Sequence, residues 1–509
     1  MKILSVTLFS ATFEIDSATP FYSDDKFEIV LNDKVIREEK RNVFSLFSLE
    51  PNTEYILSVC NQTLNFKTAS YSKKFNVKRF NAAGDGVTDD TAAFVSSVAC
   101  LPDGGVLYIP KGLYLLKPIF LKSNITLYLE KGAVLKGSRE RSDYPVLPGL
   151  EDDVNLGTWQ GEEDDCFASL ITAINCHNII IAGEGCIDCG ATEGDWYKDH
   201  RIRRIAWRPR GIFMNRCKNV LIQGVTVKNT PSWNIHPYFC EDVKLHDLYL
   251  ENIPTMPTTD GIDPDCCDGV EIIGVKISVG DDCIALKSGT IELAKKYKMP
   301  CKNVVVRNCL MCQGHGGVVL GSEISGGIQN VCVTKCLFDC TDRGFRIKTR
   351  RGRGAIGECG NITFSDIVMK NVKVPFVINM YYNMGDNSGH TEYVWTTDKL
   401  PFDDRTPVVG SFVFENIVCI DVEYCAGAFY GLPESPIESV KFKDVSFRFK
   451  TDAGCGYPDM REKNVAATKQ GLDFHFVKNV ELNSVVMEGQ DGQSVLIEEV
   501  QNLKTYKTE

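Results

Sequence analysis

The sequence predicts an all-β protein, a right-handed parallel β-helix preceded by a small β-sandwich. Three observations carry that prediction. From CHNIIIAGEGCID onward a unit recurs in which a small or amide residue, a β-branched residue and a short alternation lead through a turn to a second short strand, as in CKNVLIQGVTVKN, CEDVKLHDLYLEN, CDGVEIIGVKIS and CGNITFSDIVMKN. The aligned positions Asn219, Asp242, Gly269, Asn303, Asn330 and Asn361 are 23, 27, 34, 27 and 31 residues apart. Almost no helical periodicity lies between them. A unit this short cannot bury its own apolar face, so units of strand must stack into a solenoid with one continuous core. A β-propeller, the rival architecture, needs about 40–45 residues and four antiparallel strands per blade.

The elements follow in order. Residues 1–70 alternate in the pieces TFEID, KFEIVL, KVIREE, YILSV and LNFKT. In LEPNTEYIL, Leu49, Pro51, Thr53 and Tyr55 match the tyrosine corner of immunoglobulin-like sandwiches. The stretch resembles a fibronectin type III module, carries no catalytic grouping, and is expected to act in spacing or substrate positioning. The opening MKILSVTLFSATFEID reads as a strand rather than a secretion signal, because Thr and Ser interrupt it, Glu14 follows, and no small-residue cleavage site stands out. Residues 75–509 are expected to be the solenoid domain. FNAAGDGVTDDTAAFVSSVA predicts a loop and one helix over 91–99, with Thr88 or Asp89 as N-cap, covering the open end of the stack. GGVLYIPKGLYLL and SNITLYLEKGAVLKG then begin the succession of strands.

Composition limits the function. With 43% hydrophobic and 24% charged residues the chain is globular, and its net charge of −11 argues against a general nucleic-acid or membrane-surface binder. No run approaches the ~18 apolar residues of a spanning helix. The 21 cysteines sit inside apolar runs such as VCVTKCLFDC, which suits reduced, buried thiols and a cytoplasmic location. Export by a non-standard route, or with a signal already removed, is the alternative. Cys309 and Cys312 form a lone C-x-x-C, read as core rather than zinc site. Neither metal nor cofactor is expected, and a monomer is the default.

The chemistry is concentrated where stacking makes distant residues neighbours. SVGDDCIALK places Asp281 and Asp282 side by side in an otherwise apolar strand. A regular strand would send one of them inward, where an unpaired carboxylate is very costly. Gly280 is expected to bend the backbone so that both reach an outer groove. One coil earlier TTDGIDPDCC supplies Asp260, one coil later CQGHGGVVLGSE supplies His315, and a further coil brings DRGFRIKTRRGRG with Arg343, Arg346, Lys348, Arg350, Arg351 and Arg353. Each has an ordinary structural reading as a turn acid, a turn histidine or a solvated loop. Four such readings would have to coincide on successive coils.

Over nearly all of residues 75–490 the sequence resembles glycoside hydrolase family 28, the polygalacturonases. The family's four motifs appear in order as Thr258-Thr259-Asp260, Gly280-Asp281-Asp282, Gly314-His315-Gly316 and Arg346-Ile347-Lys348, joined by RPRGIFMNRCKNV and NTPSWNIHP. Thr258 stands where the family usually has Asn, and Cys189 where relatives often have Gly. The resemblance implies a pectin-lyase-like β-helix and an inverting hydrolase of α-1,4-linked galacturonate, with a pectic oligo- or polysaccharide as its only expected partner. It implies Asp281 as general acid, Asp260 and Asp282 as the pair that holds and deprotonates water, and His315 as the residue that keeps the acid oriented. Inversion predicts an acid-to-base separation of about 6.5–9.5 Å. Arg346 and Lys348 alternate on one strand and would clamp the sugar carboxylate. Lys287, Arg343, Trp233 and one of Tyr381 and Tyr382 complete the implied substrate contacts.

The long segments 141–165, 187–210 and 380–410 exceed what a coil needs and are expected to wall off one end of the cleft, giving exo action from the non-reducing end. Another pectic glycosidase of the same family, such as a rhamnogalacturonan hydrolase, is an alternative. A pectate lyase and a non-catalytic carbohydrate-binding solenoid are the others.

Overall fold

In the first 67 residues, seven strands form two antiparallel sheets, one of three strands (Lys2–Val6, Ala11–Glu14, Val43–Leu46) and one of four (Tyr22–Leu31, Lys34–Arg41, Glu54–Val59, Gln62–Lys67). The opening segment is thus a hairpin, as its alternation indicates. Phe13, Ile29, Phe44, Leu57 and Phe66 fill the space between the sheets. Tyr55 does what the corner pattern asks: its hydroxyl accepts from the Glu50 N–H at 2.8 Å. The computed structural model describes residues 1–70, 73–354, 356–383 and 390–506.

From Lys74 onward the strands pair in parallel, each with a strand of the coil before and the coil after. Most coils present three faces. The second face shows the register most plainly: Ile125, Ile179, Val220, Val243, Val270, Val304, Val331 and Ile362 lie one above another. All are buried, and stacking like on like removes each aliphatic chain from water, worth about 1.5–3 kcal/mol apiece.

The repeat marker has a backbone cause. Asn219, Asp242, Gly269, Asn303, Asn330 and Asn361 turn the chain with φ of 54°, 53°, 77°, 57°, 55° and 57°. Only Gly, Asn and Asp enter that left-handed region at low cost. The amides also bond along the stack: Asn361 donates to Asn330, and Asn330 to Asn303 at 3.1 Å.

The helix expected over 91–99 spans Thr91–Cys100 and plugs the N-terminal end with Phe94 and Val98, Phe94 meeting Tyr114 edge-on. Its N-cap is Asp90 rather than Thr88 or Asp89. The Asp90 carboxylate gives the helix no side-chain cap, because it accepts the amides of Ala83 and Gly84 instead. All 21 cysteines are unpaired; most are buried in the stack, Cys309 among them. No described helix is long and apolar enough to cross a membrane.

The sandwich docks on the corner between the second and third faces. Phe47 and Val43 press on Gly224 and Gly274 so closely that a Cβ there would lie 2.2 and 2.4 Å from their carbons. Arg41 pairs with Asp247, Glu14 takes Arg307 at 2.7 Å and Asn308 at 2.6 Å, and Asp16 pairs with Lys335 at 3.0 Å. None of its residues lines the cleft described next.

Candidate active site

The site opens on the first face and on the corner that leads into it. Asp282–Leu286, Gly316–Gly321 and Arg343–Lys348 are consecutive parallel strands of that face. Before them the ladder is reduced to single bridges, Ile235 to Ile262 to Ile284 and Tyr238 to Asp265 to Lys287. Pro264 sits in this stretch and has no N–H to donate. Through this gap the turns at 256–260 and 279–282 come together. Asn234 fixes one of them: its backbone and side-chain N–H groups both donate to the Asp260 carbonyl at 2.8 Å. Thr259 ties the two, donating to the Met256 carbonyl at 2.7 Å and accepting from the Gly280 N–H at 3.1 Å.

The chain bends at Gly280 and Asp281, and the strand begins at Asp282. Both aspartates therefore join Asp260, one oxygen from each of the three carboxylates lying within 4.8 Å of the others. Glycine is needed at 280 because a Cβ would lie 2.3 Å from the Met256 carbonyl oxygen. That spacing departs from the expected 6.5–9.5 Å. The reason is the architecture, since two of the acids are sequence neighbours and the third is one coil away, and coils stack at about 4.8 Å.

The three acids differ in surroundings. The Asp281 side chain is 22% exposed and pairs with His315 Nδ1 at 3.4 Å. Its other oxygen accepts the Thr258 N–H at 2.9 Å, so the residue that replaces the usual Asn serves through its backbone. The Thr258 hydroxyl instead accepts from Arg208. Burial works to raise the Asp281 carboxyl, but the His315 contact outweighs it and holds the carboxyl below the usual range. Asp281 hydrogen-bonds to His315, which pushes the imidazole up against the opposing effect of burial. Of the three, the carboxyl that is raised in the free site is Asp260, by burial and then by Asp263 and Asp281. Asp282 is fully buried, with Lys348 Nζ 2.6 Å from one oxygen and Arg346 3.8 Å from the other.

The cleft over these groups has a volume of about 480 Å³. Asp260, Asp281, His315, Lys287, Trp233, Arg346, Lys348 and Tyr382 line it, and Asp282 lies just beneath. Two expected contacts do not reach it. Arg343 donates to the carbonyls of Tyr457 and Pro458 at 2.8 and 2.9 Å, its odd spacing taking it off the row of Arg346 and Lys348. Tyr381 is packed into the core beneath the Arg351 guanidinium, leaving Tyr382 as the cleft tyrosine. Arg346 and Lys348 are not free clamps either, since both already face Asp282 and Arg346 also binds Asp459. Lys287 lies 3.5 Å from both Asp263 and Glu323. Burial alone would raise Glu323, yet Lys287 and Arg353 bring its carboxyl down to about 2.

Several wall residues carried no repeat signal. Trp207, Trp159 and Trp233 form a parallel stack with ring centres 4.9 and 5.8 Å apart. Arg210, from the RPRG motif, lies over Trp159 and Trp233 at 5.2 and 4.9 Å and donates to the Thr158 carbonyl. That motif thus pins the 141–165 segment over the cleft, and His200 and Arg201 bring in the 187–210 segment beside it. Of the third long segment, residues 384–389 lie outside the described residues.

Comparison with known proteins places these features in a family. Residues 107–428 match glycosyl hydrolases family 28, and residues 74–138 also match the pectate lyase-like family of rhamnogalacturonase A and epimerase. A relative from Vitis vinifera, described as a probable polygalacturonase, is 31% identical over 384 residues, covering 74% of each chain. The exopolygalacturonase of Thermotoga maritima superimposes with a TM-score of 0.66 at 26% identity, over 82% of this chain and 93% of that one. The family 28 exopolygalacturonase of Yersinia enterocolitica shares the fold over 99% of this chain and 97% of its own, with a TM-score of 0.74 at 18% identity. This chain, a parallel β-helix with three clustered aspartates on one face, belongs to glycosyl hydrolase family 28.

Proposed function

We propose that the protein hydrolyses the α-1,4 bond between galacturonic acid residues of pectic oligosaccharides, removing sugar from the non-reducing end with inversion. The observation that carries this reading is the division of labour among three adjacent carboxylates in a cleft otherwise rich in cations. Asp281 alone of the three has a substantially exposed side chain, so it is the one that can meet a glycosidic oxygen. Asp281 and His315 together hold the proton to be delivered. Asp282, paired with Lys348, and Asp260 face the position of an attacking water. An acidic protein accepts a polyanion here because Lys287, Arg346, Lys348, Arg353 and Arg201 converge on the cleft. Exo action is supported by the tryptophan stack and the segments at 159–164 and 200–207 that wall one end. The N-terminal strands are proposed to be a fibronectin type III-like spacer. The unpaired thiols support a cytoplasmic location, which cell fractionation would test.

Product analysis decides the reading. Digalacturonate and polygalacturonate should both yield monomer alone, and proton NMR should show the β-anomer first. A ladder of oligomers would refute exo action, and an α-anomer would refute inversion. An unsaturated product would make the protein a lyase, and release from rhamnogalacturonan alone would move it to another pectic substrate. Asp281→Asn should lower kcat by about 10²–10⁴-fold; turnover unaffected by it would leave only a binding solenoid.

A further inference from the structure

Asp459 lies 113 residues beyond Arg346 in the segment between the strands Ile437–Phe449 and Gln470–Glu488, yet the two side chains meet: Arg346 donates to Asp459 while standing 3.8 Å from Asp282. The loop that carries it is firmly held. Arg343 takes the carbonyls of Tyr457 and Pro458, and Asn379 donates to Asp459 at 3.0 Å and to the Met460 carbonyl at 2.9 Å. Asp459 is 1% exposed, and Met460 lines the cleft. This loop therefore forms part of the cleft wall beside Arg346.

The consequence concerns Asp282. A buried guanidinium goes to the nearest carboxylate that can hold it by hydrogen bonds. Two such carboxylates compete here, and Asp459 wins, leaving Asp282 Oδ1 without a hydrogen-bond partner among the described residues while Oδ2 is held by Lys348. An unpartnered oxygen on a carboxylate of this cluster is one that can accept a proton from water.

We propose that Asp459 is a positioning residue: by holding Arg346 away from Asp282 it keeps one oxygen of Asp282 available as the base. The proposal rests on the hydrolytic reading for its kinetic consequence, but the placement of Arg346 can be read without turnover. In Asp459→Asn the charge is lost while size is kept, and Arg346 should close on Asp282. A crystal structure of the variant should then show a direct Arg346–Asp282 hydrogen bond, and an Arg346 that has not moved overturns the proposal. With digalacturonate as substrate, kcat should fall about 10- to 100-fold, part of the 10²–10⁴ that a general base supplies. KM should change less. Asp459→Glu should restore part of the rate. A loss of rate that follows thermal stability would mean that Asp459 only anchors its loop. Wild-type protein inactive on every galacturonide would refute the functional reading and leave the crystal test of Asp459 standing.

Discussion

Gly280→Ala tests how the two aspartates are placed. The added methyl would lie 2.3 Å from the Met256 carbonyl oxygen, 2.7 Å from that of Ile253 and 2.9 Å from the Met256 N–H nitrogen. Comfortable carbon–oxygen contacts run at about 3.3–3.6 Å, so one turn must withdraw by about 1 Å. All three atoms are backbone, and Thr259 ties both turns together, so no side chain can swing aside. Overpacking of this kind costs about 1–3 kcal/mol, and a 1 Å displacement of reacting groups costs up to ~10²-fold in rate. Asp281 moves directly with residue 280, whereas Asp260 is held by Asn234. The expected result is a folded protein with kcat on digalacturonate lowered by about two orders of magnitude. Circular dichroism at the assay temperature separates this from unfolding. A variant that keeps kcat within about threefold of wild type would show that the approach of these turns does not set the carboxylate geometry.

Three other outcomes are expected. The His315–Asp281 pair raises the folded pKa of His315 above its ordinary value, so the pair is complete below about pH 6.5 and is lost as pH rises through the higher folded value. The alkaline limb of kcat/KM should therefore lie above 6.5, and in His315→Gln it should move down into the carboxylate range; a limb that stays in place removes His315 from the proton-holding pair. Lys348→Met leaves Asp282 buried with Arg346 3.8 Å away, and urea unfolding should show a loss of about 3 kcal/mol, the low end for a broken buried pair. Gly269→Asn should be neutral or stabilising by up to about 0.5 kcal/mol, because the turn at φ 77° accepts Asn, a Cβ has room, and the flexible unfolded glycine is removed; a melting temperature several degrees lower would contradict the account of the corner row.

The solenoid was legible because its corners demand a backbone state that few residues tolerate, which leaves Asn219, Asp242, Gly269, Asn303, Asn330 and Asn361 in register in the sequence itself. The same register placed Asp260, Asp281, Asp282, His315, Arg346 and Lys348 on one face, since each sits within a coil or at its corner. Trp159, Trp207 and Asp459 were not legible. They lie on segments outside the repeat, and nothing local says where such a segment lands; long-range contacts such as Arg210 over Trp159 and Arg346 with Asp459 place it. Arg343 and Tyr381 were misplaced for a simpler reason: each is near a cleft residue in sequence but an odd number of positions from it, and strand parity turns it elsewhere.

The spacing of the acids shows what this architecture imposes on chemistry. In folds where carboxylates come from separate walls, distance distinguishes acid, base and nucleophile, and a separation of about 5–5.5 Å signals retention. Here the coil spacing of about 4.8 Å holds Asp260 close to Asp281 and Asp282 whatever the reaction, so their separation carries no such information. The roles must be distinguished by what each carboxylate touches. Asp281 faces solvent and His315, Asp282 is enclosed with Lys348, and Asp260 has burial and like charge acting together to raise it. Exchanging partners should therefore exchange roles without moving a carboxylate. If His315→Lys, which places a fixed cation beside Asp281, abolished the alkaline limb of the pH profile while the backbone stayed in place, environment rather than distance would be the selector. A profile unchanged by that substitution would refute it.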